Sequence, residues 1–311
     1  MLLFASGRTD IPAFYADWLM ERVRAGFVDV RNPYYARQVT RYRLSPDVVD
    51  CLVFCTKNPA PMLPHLPELR ERGFALYFFV TITPYGTDIE PNVPPVAAVI
   101  DAMLALGAAV GTQRVCWRYD PIFVDATYSV SAHIRSFRQM AERLRAATGR
   151  CIISFIDLYK KTKRNFPGVR EVSLSDQRFL AQAFARVGTQ TGIVVETCAE
   201  KADLSACGVA AGACVSREVI EQTAGYALVA PLPRQHLRAH CACIATHDIG
   251  AYNSCPHLCR YCYANADAAL VRKNFARHDP RSPFLLGGAE TGDDVHEAHQ
   301  ECLRDAQLPL L

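Results

Sequence analysis

The 311-residue chain has no apolar run near the roughly eighteen residues a membrane-spanning helix needs; its most apolar segments, such as Ala75 to Ile82, are strand-sized. That excludes a helical membrane protein and leaves no membrane partner to expect. The few apolar residues from Met1 to Ser6 stop at Arg8 and Asp10, too short for the core of a signal peptide, so a cytoplasmic location is expected. No run of Lys or Arg forms a basic stripe and the net charge is only +3, so a nucleic-acid partner is not implied. A glycine-rich dinucleotide fingerprint is missing after the first strand-like run, and no Gly-x-Ser-x-Gly elbow occurs, which argues against nicotinamide dependence and serine-hydrolase chemistry. Low-complexity segments are absent too. With 50% hydrophobic and 21% charged residues the chain can bury a large core.

From residue 1 to about 200 the sequence alternates short apolar runs with longer helical segments. The runs are Leu2 to Ser6, Cys51 to Cys55, Leu76 to Ile82, Arg114 to Trp117, Cys151 to Phe155 and Ile193 to Thr197. The helical segments are Pro12 to Ala25, Pro64 to Arg72, Pro95 to Ala108, Ser131 to Ala147 and Ser175 to Val187, the last with a Ser173/Asp176 capping box and Gly188 as a stop. Such alternation predicts parallel strands with crossover helices. Polar, reactive residues follow nearly every run, among them Arg8 and Asp10, Lys57 and Asn58, Arg118 and Asp120, and Asp157. A doubly wound sheet gathers such residues at one switch point, whereas a barrel brings all strand ends to one mouth. The fold class expected is α/β, a partial or near-complete TIM-type (β/α) barrel over 1–200, a C-terminal cysteine-rich cluster-binding region over 201–285 packed on its mouth, and a tail over 286–311. The tail is acidic and polar, and reads as mobile or as a surface helix.

Thirteen cysteines are many for a reducing compartment, and nine of them lie from Cys198 onward. Cys51, Cys55, Cys116 and Cys151 sit in apolar runs and read as small buried hydrophobes. Cys255-Pro256-His257-Leu258-Cys259-Arg260-Tyr261-Cys262 places three thiols on one loop. Structural zinc takes four protein ligands, whereas three thiolates on a cubane iron–sulfur cluster leave one iron open. Cys198, Cys214, Cys241 and Cys243 match a second 4Fe-4S cluster or a structural zinc, with Cys207 as a substitute ligand and Cys302 incidental. His240, His247 and His257 lie among these cysteines and read as hydrogen-bond donors to sulfur rather than as ligands.

The loop, including Tyr261 before its third cysteine, resembles the cysteine signature of the radical S-adenosylmethionine superfamily. Arg8-Thr9-Asp10-Ile11-Pro12-Ala13-Phe14-Tyr15, Thr56-Lys57-Asn58-Pro59, Trp117-Arg118-Tyr119-Asp120-Pro121-Ile122, Ser154-Phe155-Ile156-Asp157-Leu158-Tyr159-Lys160-Lys161, Asp248-Ile249-Gly250 and Cys262-Tyr263-Ala264-Asn265 resemble, over nearly the whole chain, a bacterial domain-of-unknown-function family related to that superfamily and to spore photoproduct lyase. The resemblance implies a 4Fe-4S cluster on Cys255, Cys259 and Cys262, with S-adenosylmethionine on the open iron. It further implies a 5′-deoxyadenosyl radical that takes hydrogen from an unknown substrate, and an external electron donor such as flavodoxin or ferredoxin. The superfamily carries its cysteines after the first strand; here they follow the sixth, and reach the mouth only if first and last strands meet.

Strand-end position and the resemblance together imply roles. Ser6, Thr56, Asn58 and Ser154 would hold the ribose and methionine parts of the cofactor, with Tyr261 and Glu196 among the cofactor-binding residues. Arg8, Lys57 and Arg118 would pair with carboxylates. Asp10, Asp120 and Asp157 complete the catalytic candidates, Asp10 and Asp120 being equally placed for helix caps or turns. Two other readings stay open: a zinc-stabilised barrel hydrolase or lyase, and a metal-dependent nucleic-acid-binding module.

Overall fold

The computed structural model describes residues 1–234 and 241–305. The chain opens with β1 (Leu2–Phe4), α1 (Ile11–Phe14) and α2 (Ala16–Ala25), then a hairpin of β2 (Phe27–Arg31) and β3 (Gln38–Arg43). Next come β4 (Cys51–Thr56), α3 (Leu66–Glu71), β5 (Leu76–Thr81), α4 (Val96–Val110), β6 (Val115–Ile122), α5 (Val130–Leu144) and β7 (Arg150–Phe155). After α6 (Lys160–Asn165) and α7 (Leu174–Thr191) follow β8 (Val194–Cys198), β9 (Ala210–Gly212), α8 (Arg217–Ala224), β10 (His247–Asp248), α9 (Ala268–Phe275) and β11 (Asp294–Glu297).

Eight of these strands form one parallel sheet in the order β10-β1-β4-β5-β6-β7-β8-β9. Side chains alternate across it. On one face Leu52, Phe54, Phe78, Trp117, Ile153 and Val195 pack with residues of the helices, such as Leu19, Met103, Phe137 and Phe184. On the other, Leu2, Cys51, Val53, Tyr77, Phe79, Cys116, Ile152 and Cys198 form a second cluster. Because both faces are covered, β4 and β5 read as continuous apolar runs. Cys51, Cys116 and Cys151 are fully buried, and burial pushes the Cys116 thiol up to about 11.

β10 runs beside β1, pairing Leu3 with His247 and Phe4 with Asp248. The expected barrel is nevertheless not closed: β9 and β10 stand at opposite edges of the sheet, and no pairing joins them among the described residues. α8, which connects them, packs against β4 and β5 and buries Ile220 in the inner-face cluster, so it caps the inside of the sheet instead of covering the gap.

Two further expectations change. The tail is not a helix where it reads as one: β11 pairs with β3 in a three-stranded sheet with β2. Gly188 does not stop α7, which runs on to Thr191 and ends at Gly192, in the left-handed region. A Cβ on Gly188 would sit 2.4 Å from the Ile193 carbonyl, so this glycine serves close packing of α7 on the chain entering β8. The Ser173 cap holds as read, accepting from the Asp176 amide at 3.1 Å.

A cysteine loop over the strand ends

β10 is followed by the segment 249–266 that carries the three loop cysteines. Since β10 lies beside β1, this segment emerges at the C-terminal edge of the sheet, where the strand-end residues collect. Leu258 at φ 57° turns the chain between Cys255 and Cys259, a left-handed conformation that costs a non-glycine residue about 1–2 kcal/mol. Ties to four strand ends hold it in place. After β1, Asp10 Oδ2 lies 3.0 Å from His257 Nε2. After β5, Asn92 Nδ2 donates to the Pro256 carbonyl at 2.7 Å, His257 Nδ1 faces the Asn92 carbonyl at 3.2 Å, and the Arg260 amide donates to Ile89 at 3.0 Å. After β4, Lys57 pairs with Glu90, which also accepts from the Tyr261 hydroxyl. After β7, Thr162 Oγ1 donates to the Tyr261 carbonyl at 3.2 Å.

Burial pushes the thiols of Cys255, Cys259 and Cys262 up, and in Cys255 the neighbouring Asp10 and the other two cysteines add to it. Lys57 opposes the shift at Cys259. Burial works against the charge of Lys57 itself, but Glu90 and then Cys259 raise it, so it stays a cation. Three thiols on one loop, held neutral by burial and faced by Lys57 and Lys161, are a donor set that a bound metal centre would ionise. Beside the loop, Ser6 Oγ, Thr9 Oγ1 and Asn265 Oδ1 are buried without a hydrogen-bond partner among the described residues. Orphaned polar atoms are costly when buried, and they point to a ligand that this edge is built to receive. The residues fit the cofactor set that the loop implies.

The expected site residues fall into two groups and one outlier. Arg8, Asp10, Lys57 and Tyr261 surround the loop. Arg8 donates to the Asp248 carbonyl at 2.6 Å, and Gly7 is required beside it because a Cβ there would meet Asp248 Oδ2 at 1.9 Å. Asp10 caps α1 through Ala13 N at 3.0 Å and accepts from the Lys57 amide at 2.8 Å, so both its oxygens are committed to holding structure. Thr56 Oγ1 accepts from the Asn58 amide at 2.9 Å and Asn58 Oδ1 from the Ala60 amide at 3.2 Å, turning the chain after β4.

The second group lies on the inner face: Arg118 binds Asp120 and, at 3.5 Å, the sulfur of Cys55, while Ser154 donates to Asp120. Asp157, after β7, accepts from the Tyr159 hydroxyl at 3.3 Å. Glu196 is the outlier. It sits within β8, level with Ile152, and binds Arg150 at 2.6 Å, below the strand ends where a cofactor residue was expected.

The other late cysteines gather elsewhere, at the gap in the sheet. Cys198 ends β8, Cys214 follows β9, and Cys241 and Cys243 precede β10. Ligand atoms of Cys198, Cys241 and Cys243 all lie within 4.8 Å of one another, with Cys198 and Cys243 sulfurs 3.7 Å apart. Cys214 lies near Cys198 and Cys243, outside the set of three whose ligand atoms are within 4.8 Å of one another. Cys207 ends a short 3-10 turn and packs against the outer core instead. Cys302 is exposed and approaches Asp50 at 3.1 Å. His257 holds the cysteine loop through Asp10 and Asn92, His247 lies in β10, and His240 falls outside the described residues.

A family model matches residues 2–264, from β1 through the cysteine loop, and is described as a domain of unknown function, DUF1848. The chain belongs to the DUF1848 family. The match spans the main sheet, both cysteine groups and the strand-end residues together. No curated protein matches the chain. A solved structure from Bacteroides thetaiotaomicron, proposed to be an alpha-L-fucosidase, shares 12% identity over 55% of each chain at a TM-score of 0.30, a likeness that supports no inference about this DUF1848 protein.

Glu90 is the functional residue that sequence reasoning missed. Buried at 3% exposure, it accepts from Lys57 Nζ at 2.8 Å, from Thr83 Oγ1 at 2.7 Å and from Tyr261. It lies in a loop between β5 and α4 with no motif around it, and only its place among Pro and Gly residues marks the segment as a turn. Asn92 was likewise unmarked, while Thr9 and Asn265 stood in the motifs that carry the resemblance but had been given no role. No helix among the described residues is long and apolar enough to cross a membrane.

Proposed function

We propose that this protein is a radical S-adenosylmethionine enzyme, with Cys255, Cys259 and Cys262 as cluster ligands. The observation that carries the reading is the three-thiol loop set over the strand ends beside three buried polar atoms, on Ser6, Thr9 and Asn265, that lack partners. Held there, a 4Fe-4S cluster would bind S-adenosylmethionine at its open iron and, once reduced, cleave it to methionine and a 5′-deoxyadenosyl radical. The chain's own contribution is placement and charge. Ser6, Thr9 and Asn265 offer unpaired oxygens for hydroxyl and ammonium groups, and Arg118 offers an unpaired Nε for a carboxylate. Lys57, paired to Glu90, counters the charge on Cys259. Substrate would enter on the face of the sheet where Arg118, Asp120 and Ser154 lie.

On this reading the sheet is a (β/α)8-type barrel with one open seam, since its strands follow chain order from β1 and β4 to β9 and the last, β10, returns beside β1. Electrons would come from an external carrier such as flavodoxin or ferredoxin, in the cytoplasm. The test is anaerobic reconstitution with iron and sulfide, reduction, and addition of S-adenosylmethionine. We expect 5′-deoxyadenosine from the native chain and only background from Cys259→Ala. Equal background from both would end the proposal.

A further inference from the structure

The geometry points to a single tetrahedral zinc ion bound by Cys198, Cys214, Cys241 and Cys243, which joins the two open edges of the sheet. This site is separate from the cysteine loop and stands whether or not the loop holds a cluster.

Distance decides between one ion and a cubane. A tetrahedral ion with metal–sulfur bonds of about 2.3 Å sets its sulfurs about 3.8 Å apart, the edge of the tetrahedron. Cys198 and Cys243 are 3.7 Å apart and Cys241 lies within 4.8 Å of both, while Cys214 stands just outside this set and would complete the tetrahedron by a small shift of its side chain. In a cubane each thiolate sits on a different iron, which spreads the sulfurs well beyond that edge. The loop cysteines supply the internal contrast: among the described residues they form no such compact set, although three of them share eight residues of chain. A disulfide is excluded at the compact site, since 3.7 Å is far longer than an S–S bond of about 2.0 Å.

Placement explains what the ion would do. β9 and β10 are the unpaired edges of the sheet, and the four ligands come from both sides: Cys198 and Cys214 from the β8–β9 side, Cys241 and Cys243 from the strand entering at β10. One backbone hydrogen bond already bridges the sides, from the Ile244 amide to the Val215 carbonyl at 2.9 Å. A closed four-thiolate ion next to it would do for the gap what ladder hydrogen bonds do between the other strands. Cys198 and Cys243 are 7% and 8% exposed, which suits a structural site with no open position for substrate. Arg118 lies beside Cys198 and Cys214 and supplies a cation facing the doubly negative centre that four thiolates and one zinc make.

The test uses the full chain with Cys255, Cys259 and Cys262 all replaced by Ala, so that the loop contributes no metal. We expect about one zinc per chain, no acid-labile sulfide, and, after exchange with cobalt(II), the strong visible bands of a tetrahedral cobalt thiolate. Adding Cys241→Ser should remove them. Should the Ser variant fail to fold, the native chain still answers: a mercurial titrating its thiols should release zinc in proportion, read with a metallochromic dye. Recovery of about four irons with sulfide from the loop-less chain would overturn the proposal. So would a folded chain with no metal and all four thiols free to react.

Discussion

Two sets of late cysteines lie in one molecule and differ in almost every physical respect. The loop set lies within eight residues of chain, over the strand ends among unpaired polar atoms, and forms no set as tight as 4.8 Å among the described residues. The gap set is scattered over Cys198 to Cys243, compact in space, and flanked by β9 and β10, the edge strands of the sheet among the described residues. Spacing along a chain thus says which thiols belong together only when one loop carries them. When the ligands come from different strands, the strand order brings them together.

The largest expected effect separates the two sets. Cys255→Ala should abolish iron binding at the loop and leave the ion at the gap, while Cys198→Ser should do the reverse and lower the melting temperature. Metal and sulfide analysis of the two variants reads this directly. Loss of both metals from either variant would mean that the two sets form one centre and the contrast is false.

Next in size is Asp10→Ala, which tests whether the loop is held or merely nearby. It removes the cap of α1 and leaves the Lys57 amide and His257 without their acceptor. A loss of roughly 2–4 kcal/mol is expected in denaturant unfolding, from the cap and from the buried groups left unpaired. Iron retained at the loop should fall, and zinc at the gap should not. Equal loss of both would show that Asp10 supports the whole fold and has no special bond to the loop.

What was legible in the sequence divides along the same line. β1, β4 to β8 and their helices were read because short apolar runs alternating with longer helical segments have few alternatives, whereas β2 and β3, five and six residues long but rich in charged and polar residues, were not. β9, β10 and β11 have three, two and four residues, too few for a period, and β10 is what brings the loop to β1. The loop thiols were found from spacing alone. Glu196 was misplaced because polar residues near the end of a run look alike whether they point into the mouth or, like Glu196, meet an arginine lower in the sheet. Glu90 carried no pattern, since its role comes from three partners in other segments.

A smaller effect tests the outer core, away from both sets. Gly188→Ala would press a methyl against the Ile193 carbonyl and the Val195 side chain. An overpacking loss of roughly 1–3 kcal/mol is expected, with metal content unchanged. Altered metal content would show that α7 packing sets the height of β8, and with it the position of Cys198.

The smallest effect is a slope with pH. His133 on α5 is fully buried between the Tyr119 hydroxyl at 2.7 Å and the Phe123 carbonyl at 2.8 Å, and burial lowers its pKa below the ordinary 6.5. The unfolded chain takes up a proton there before the folded one does, so stability is full above about 6.5 and falls as the pH drops from that value toward the lowered one. His133→Gln should lower the melting temperature at pH 7.5 and flatten its decline below pH about 6.5. Because His133 packs on the helix side of the sheet, the same acidification should leave the loop metal unchanged wherever the chain stays folded. Iron lost in step with the native slope, and spared in His133→Gln, would mean that the outer core and the loop unfold as one unit.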